Sequence, residues 1–472
     1  MKPAASRDLI VIGGGSAGHA AAKTAAELGA KVALVESAKP LGGLCILRGC
    51  MPSKTLIETA NRMREIRAAA RFGIQVADPG LNVDALRERV RSLVAGFHEH
   101  REDEMTDGHY ELLSGSARFT GEHEIGLTTE DGDSRSLTAT TFVIATGSAP
   151  SVPPLPGLAG TPYWTSDDVV RLPFLPKHLA VIGAGAIGME CAHLFEGLGS
   201  RVTLIARGGS IMGRMDREIA AVIEAESEDR GIRFLKETRV KSVSHDGKLF
   251  SLALEGAAES LEADALLVAT GRAPATSNLG LEGIGIALED GRILIDERCA
   301  TSLPHVFAAG DCASPVRVVH LAVIQGGVAA RNAVRLAKDG RREAAAEWNR
   351  KSAMSGWFTD PQCVEVGLSE RRAKEKGLAI VTGRQNYVEQ GKGIITGCQR
   401  GFVKVIADAE SGRLLGACGA GPLVIETSHL LQSAIELGLT VEEYLAIPHY
   451  HPTLAEAWLR AVEGLAGGLR TY

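Results

Sequence analysis

Residues 8–36, DLIVIGGGSAGHAAAKTAAELGAKVALVE, run from a short apolar stretch through a glycine turn and an alanine-rich amphipathic segment to a second apolar stretch ending in Glu36. Short apolar runs bounded by turn residues predict buried strands, and the helical periodicity between them predicts a crossover helix, so the segment reads as one βαβ unit. Residues 178–207, HLAVIGAGAIGMECAHLFEGLGSRVTLIAR, repeat the arrangement after a proline-rich linker, SVPPLPGLAGTP (151–162). Each unit is closed by a similar element, FVIATGSAP (142–150) in the first and LLVATGRAP (266–274) in the second. This internal repeat predicts two separate mononucleotide folds in one chain.

The stretch from 55 to 110 carries Arg and Glu at helical intervals and reads as solvated helix faces with no assigned function. HVFAAGDCA (305–313) predicts a buried strand followed by Gly-Asp and a further helix, LAVIQGGVAARNAVRLA (321–337). From about Trp348 the apolar runs shorten and alternate with glycine turns, and helices follow, the last of them after a tight PHYHPT turn. The expected architecture is therefore α/β, with two Rossmann-like dinucleotide-binding domains and a C-terminal α+β domain. The boundaries are drawn at 1–150, 151–275, 276–346 (a return to the first domain) and 347–472.

The chain has 472 residues, enough for two to four domains at roughly 100–200 residues each. Its 51 Lys+Arg and 57 Asp+Glu give a formal charge of -6 without long runs of one sign, which gives no support to a nucleic-acid or membrane-surface partner. Eight cysteines are few for this length, and only Cys45 and Cys50 are closely spaced, so the chain is not a secreted disulfide scaffold. MKPAASRD, before the first strand, lacks the basic, apolar and cleavage regions of a leader, and no 18-residue apolar stretch occurs. A reducing, cytoplasmic compartment is expected, where a cysteine pair is more often catalytic or metal-binding than structural.

Gly13, Gly15 and Gly18 have the spacing of a dinucleotide fingerprint. The first allows a tight turn, the second lets a pyrophosphate approach the backbone, and the third lets helix and strand pack closely. Glu36 ends the next strand, where a carboxylate can accept ribose hydroxyls. Gly183, Gly185 and Gly188 repeat the spacing, but Ala206 stands where that acid belongs and Arg207 follows, with Arg214 a few residues on. A missing acid beside arginines favours a 2′-phosphate and hence NADP; the alternative is that Arg207 is a surface residue and NAD binds.

GGLCILRGCMPSK (42–54) holds the cysteine pair. A zinc site needs four ligands, usually as two close pairs, and no second CxxC, CxxxxC or HxxxH cluster answers Cys45 and Cys50. Buried inert thiols and a redox-active dithiol remain as readings. Pro52 suits a first helical turn, so Cys50 is expected near a helix N-terminus, where the dipole favours thiolate, with Arg48 and Lys54 adding positive charge.

GGLCILRGCMPSK, the two fingerprints, the two ATG elements, AAGDCA (308–313) and HPTLAE (451–456) together resemble the FAD-dependent pyridine nucleotide–disulfide oxidoreductases, over about residues 7 to 464. The resemblance implies that the first fingerprint binds FAD, with Glu36 on the adenosine ribose and Gly310 and Asp311 toward the ribityl and pyrophosphate side. Gly43, Thr146 and Gly147 would join that site. The second fingerprint, with Arg207 and Gly271, would bind NAD or NADP. Cys45 would exchange with substrate and Cys50 would form the charge-transfer thiolate against the flavin. Lys54, paired with Glu190, would lie near the reactive flavin nitrogen. His451 would be the general base, oriented by Glu456, with His449 matching the branch's HxHPT form. In the family these two reach the cysteines from the other subunit, which implies a homodimer. The implied substrate is a small dithiol or disulfide, or a lipoyl-bearing protein.

Within the family, PSK after the second cysteine and HPTLAE resemble dihydrolipoyl dehydrogenase, whereas glutathione reductases carry PKK and HPTSSE. A mercuric reductase is expected to end in a cysteine pair and to replace His451 by an aromatic; this chain ends GGLRTY. Two departures stand out: Leu44, Ile46, Leu47 and Arg48 replace the usual residues around Cys45, and Ala206-Arg207 runs against an NAD preference. Open alternatives are an NADPH-dependent reductase of another small disulfide, similar to glutathione reductase, and a FAD-binding regulatory or scaffold protein. Retention of both cysteines, His451 and Glu456 speaks against the last.

Overall fold

The computed structural model of the chain describes residues 7–213, 215–341 and 343–466, so Arg214 and the terminal GGLRTY lie outside the described residues. By packing, the chain divides into two units: one from residues up to 55, 84–151 and 272–348, the other from 56–83, 152–271 and 349 onward.

The first unit opens with β1 (Arg7–Ile12), α1 (Ser16–Glu27) and β2 (Val32–Glu36). There follow α2 (Gly43–Leu47), α3 (Cys50–Arg67, whose later turns belong to the second unit) and α4 (Val83–Thr106). The strands β3 (Glu111–Ser114), β4 (Ser116–Gly121), β5 (Glu124–Thr128), β6 (Ser134–Ile144) and β7 (Ser148–Pro150) come next. The main sheet has the order β3-β2-β1-β6-β5-β4, and the strand Val306–Ala308 joins β6 in parallel. β1 lies between β2 and β6, parallel to both, and its Leu9–Ile12 are buried. Burial on both faces is why β1 and β2 read as continuous apolar runs rather than alternating ones.

Helix Val319–Asp339 packs on α1 through small residues, Ala322, Ala329, Ala330 and Ala333 against Ala17, Ala21, Ala22 and Ala25. The approach is so close that a Cβ on Gly326 would lie 2.2 Å from the Ala17 carbonyl oxygen. The return of residues 272–348 to the first unit is thus secured at a strand, a helix and the pairing of β7 with Arg272–Pro274.

In the second unit, Thr165 and Asp168 form a capping box on α5 (Ser166–Val169). It is followed by β8 (His178–Ile182), α6 (Ala186–Leu198), β9 (Arg201–Ile205), α7 (Arg217–Asp229) and β10 (Arg233–Leu235). An antiparallel trio, β11 (Val240–His245), β12 (Phe250–Leu254) and β13 (Leu261–Ala263), precedes β14 (Ala265–Val268). The parallel sheet runs β10-β9-β8-β14.

The C-terminal part is a five-stranded antiparallel sheet in the order Met354–Trp357, Gln362–Gly367, Leu414–Gly421, Phe402–Asp408, Ile380–Asn386. Helix Glu456–Ala466 covers it with Trp458, Ala461, Val462 and Leu465, and a Cβ on Gly383 would lie 1.9 Å from the Ala461 carbonyl. Among the described residues no helix is long and apolar enough to cross a membrane.

Candidate active site

Gly13 sits at φ +100°, and a Cβ there would lie 2.5 Å from the Ala145 carbonyl and 3.1 Å from Thr146 Cα. A Cβ on Gly18 would lie 1.7 Å from the Gly13 carbonyl, so both positions are closed to larger residues by packing. Gly15 differs: a Cβ there would meet no atom within 4 Å, and the N-terminus of α1 has no side-chain cap. This opening leaves first-turn N–H groups and the positive end of the helix dipole to an anion. Glu36 stands at its edge, with Oε2 accepting from the Gly14 N–H at 2.6 Å and Oε1 from the Ala38 N–H at 2.7 Å. Gly43 (φ +72°) presses on Gly15, where a Cβ would lie 2.6 Å from Gly15 Cα, and this contact brings α2 up to the fingerprint.

Beyond β6, Gly147 (φ +73°) faces open space, and Gly310 (φ +76°) receives Gln325 Oε1 on its N–H at 3.0 Å. Gln325 is fully buried and its Nε2 has no hydrogen-bond partner. Asp311 Oδ2 accepts from Ser148 Oγ at 2.6 Å, and Ser148 Oγ in turn accepts from Arg272 Nε at 2.8 Å. An open cradle at Gly15, an uncapped helix and an orphaned buried donor are features that a bound dinucleotide such as FAD would fit. Ser148, Arg272 and Gln325 were not singled out in the sequence; the Arg in ATGRAP carried the available signal.

The second unit repeats this geometry. Gly183 (φ +114°) would place a Cβ 2.4 Å from the Ala269 carbonyl, and Gly188 would place one 1.9 Å from the Gly183 carbonyl. Gly185 meets nothing within 4 Å at an uncapped α6 N-terminus, and Gly271 (φ +129°) likewise faces open space. Ala206 is buried at the end of β9 and Arg207 is exposed beside it. The open cradle at Gly185 and the uncapped helix are features that a nicotinamide nucleotide would fit.

Cys45 lies on α2 and Cys50 is the first residue of α3, so the expected helix N-terminus is present. Gly49 between them lets the chain double back, since a Cβ there would already lie 3.3 Å from Cys45 Cα. Both cysteines are thiols, and a side-chain hydrogen bond joins them. That bond is the largest cause holding the Cys45 thiol far above the ordinary range; burial adds to it, and the Lys54 ammonium acts the other way. Cys50, the partner in that bond, stands at the positive end of α3, where the helix dipole favours a thiolate. Arg48 is exposed at the end of α2.

Lys54 belongs to the first unit and Glu190 to the second. Within its own unit Glu190, on α6, accepts the Phe358 N–H at 2.9 Å. Also in the second unit, His451 Nδ1 lies 2.9 Å from Glu456 Oε1, and Glu456 Oε2 accepts the Thr453 N–H at 2.9 Å. Burial works to raise the Glu456 pKa, but the Thr453 N–H and His451 outweigh it and hold the carboxyl below its usual range. His449 Nδ1 donates to the Ile447 carbonyl at 2.7 Å, and its ring packs on Tyr444.

The pyridine nucleotide-disulphide oxidoreductase family matches residues 7–328, and the dimerisation domain of the same family matches residues 354–462. The chain belongs to this family of FAD-dependent enzymes that use NAD(P)H. It is 35% identical to a dihydrolipoyl dehydrogenase of Thermus scotoductus, over 97% of each chain. It is also 34% identical to a mercuric reductase of Acidithiobacillus ferrooxidans, over 98% of this chain and 82% of that one. Among solved structures it is similar to LpdA from Mycobacterium tuberculosis, with a TM-score of 0.87 and 26% identity over 96% of this chain and 99% of the other. The Cu(II) complex of the HOCl-induced flavoprotein disulfide reductase RclA from Escherichia coli gives a TM-score of 0.84 and 27% identity over 96% and 98%.

Proposed function

We propose that the chain oxidises a small dithiol, or reduces the corresponding disulfide, in the manner of a dihydrolipoyl dehydrogenase. Cys45 and Cys50 are the exchanging pair, and His451 with Glu456 is the base. The observation that carries this reading is the hydrogen-bonded thiol pair at the head of α3, in which Cys45 is held protonated by its bond to Cys50 and Cys50 stands at the helix N-terminus. In the oxidising direction His451 takes a proton from the substrate dithiol. The resulting thiolate attacks Cys45 of a Cys45–Cys50 disulfide, Cys50 departs as thiolate, and a mixed disulfide forms. The second substrate sulfur, deprotonated in turn, attacks its partner in the mixed disulfide and releases Cys45 and a cyclic disulfide. Bound FAD supplies the two-electron link between the thiol pair and the nicotinamide nucleotide.

Glu36, Gly13, Gly15, Gly18, Gly43, Thr146, Gly147, Gly310 and Asp311 hold FAD in this reading. Gly183, Gly185, Gly188, Arg207 and Gly271 hold NAD or NADP, and Lys54 with Glu190 flanks the reacting end of the flavin. The C-terminal domain brings His451 of one subunit to the thiols of the other in a homodimer. Arg48, exposed beside the pair, selects an acidic partner such as a lipoyl-bearing protein.

A second reading, NADPH-dependent reduction of a different disulfide, is favoured by Ala206-Arg207. Steady-state kcat/KM for dihydrolipoamide with NAD+ and NADP+, set beside oxidised glutathione with NADPH, separates the two. Negligible turnover of dihydrolipoamide with either nucleotide overturns the first. Turnover of Hg(II) or Cu(II) with NADPH in its place assigns the thiol pair to a metal-ion substrate.

A further inference from the structure

Ala206 removes the carboxylate that a fingerprint of this kind ordinarily aims at the adenosine ribose, but a carboxylate, Glu237, lies just past the end of the neighbouring strand. β10 lies beside β9 in parallel, with Leu235 opposite Ile205, so the two C-terminal ends open on the same edge of the sheet. The chain past β10 is laced to the chain past β9. The Ala206 N–H donates to the Leu235 carbonyl at 2.9 Å, the Thr238 N–H to the Ala206 carbonyl at 3.0 Å, and the Glu237 N–H to the Gly208 carbonyl at 3.2 Å. The loop that carries Arg207 also folds back on the fingerprint, with the Met212 N–H donating to the Ala184 carbonyl at 2.8 Å.

Glu237 is exposed, and it holds φ at +52°, in the left-handed region that costs a non-glycine residue about 1 kcal/mol or more. The strain turns its side chain along the Arg207 loop: a Cβ added at Gly209 would lie 3.4 Å from Glu237 Oε1. Arg207 and Glu237 thus flank one small region, a cation and a carboxylate at the place where a nucleotide with and without a 2′-phosphate differ.

We infer that Glu237 is the ribose-reading carboxylate of the second fingerprint, accepting the adenosine 2′-hydroxyl of NAD(H) and opposing the 2′-phosphate of NADP(H) that Arg207 favours. The inference rests on the reading that residues 183–207 bind the nicotinamide nucleotide. Its consequence is a site that takes both nucleotides, with selectivity set by a balance of two charges.

The test is equilibrium binding of NAD+ and of NADP+ to the FAD-loaded oxidised enzyme, followed by fluorescence quenching. Glu237→Gln is expected to weaken NAD+ and tighten NADP+, moving the ratio of the two constants toward NADP+ by about tenfold, the scale of one charge-assisted hydrogen bond. Glu237→Asn, a residue at ease in left-handed backbone, is expected to move it the same way. A ratio within twofold of the parent in both variants overturns the inference. Arg207→Ala separates this outcome from failure of the underlying reading. If Arg207→Ala weakens NADP+ alone while the Glu237 variants do nothing, only the role of Glu237 falls. If all three leave the ratio unmoved, the adenosine ribose does not bind at this edge.

Discussion

The imidazole of His451 is 75% exposed, while the Glu456 carboxylate 2.9 Å beneath its Nδ1 is only 8% exposed. A Nδ1–H donated to an ionised Glu456 leaves Nε2 as the ring's acceptor, turned away from the carboxylate. His451→Gln is expected to lower kcat/KM for the dithiol by about 10²–10⁴ while leaving the flavin spectrum intact. Glu456→Gln should lower it as well and shift the pH profile. Because the Glu456 pKa is depressed, its stabilisation of the PHYHPT turn is present above the ordinary carboxylate range and lost as pH falls through the lowered value. The protection of the Thr453 amide relative to its intrinsic exchange rate, low in acid and high at neutral pH, measures this; unchanged kinetics in both variants would remove the pair from the mechanism.

The two thiols should ionise far apart. After anaerobic reduction, far-ultraviolet thiolate absorbance is expected to show one thiol of the pair resisting ionisation, because the Cys45 thiol is held up by Cys50 and by burial. Two-electron reduction should produce a long-wavelength charge-transfer band. Cys50→Ser is expected to abolish that band, and Cys45→Ser to retain it while ending turnover. An identical spectrum in Cys50→Ser and the parent protein would exclude a redox role for the pair.

Four of the six fingerprint glycines, the second and third of each unit, fall into two kinds. Gly18→Ala and Gly188→Ala place a methyl within 2 Å of a carbonyl oxygen and should destabilise their units by about 2 kcal/mol or more, seen as lower thermal midpoints even without nucleotide. Gly15→Ala and Gly185→Ala meet open space, so their folds should survive while affinity for FAD or for the nicotinamide nucleotide falls. Equal loss of fold in all four variants would contradict the division.

Lys404, 6% exposed, donates to Asp216 at 2.7 Å, to Glu218 at 2.6 Å and to Glu370 at 2.6 Å. Burial opposes its charge, but the carboxylates outweigh burial and hold the ammonium above its ordinary range. The cluster's contribution is therefore complete at neutral pH and lost only as pH rises past the ordinary lysine range. Lys404→Met should destabilise the second unit by about 2–3 kcal/mol, less than for a wholly buried pair because Glu218 and Glu370 are partly exposed. Combining it with Glu218→Gln should recover part of the loss in thermal midpoint. No change in Lys404→Met would show that solvent already screens the cluster.

The glycine fingerprints, the cysteine pair and the HPTLAE turn were legible because each acts over a short span of chain. A tight turn needs Gly13 and Gly183 whatever surrounds them, Cys45 and Cys50 meet across one turn, and Glu456 reaches His451 five residues away. Buried strands announced themselves as apolar runs for the same local reason. Contacts between distant segments carried no comparable signal. Ser148 and Arg272 brace Asp311 only because β7 pairs with Arg272–Pro274, and Gln325 reaches Gly310 only because its helix packs tightly on α1. Glu237 reads as one more surface carboxylate until parallel pairing sets β10 beside β9. Local backbone demands can be met by neighbouring residues, so they are written in motifs. Which distant side chains share a site depends on strand order and helix packing, and these exist only once the whole core has closed.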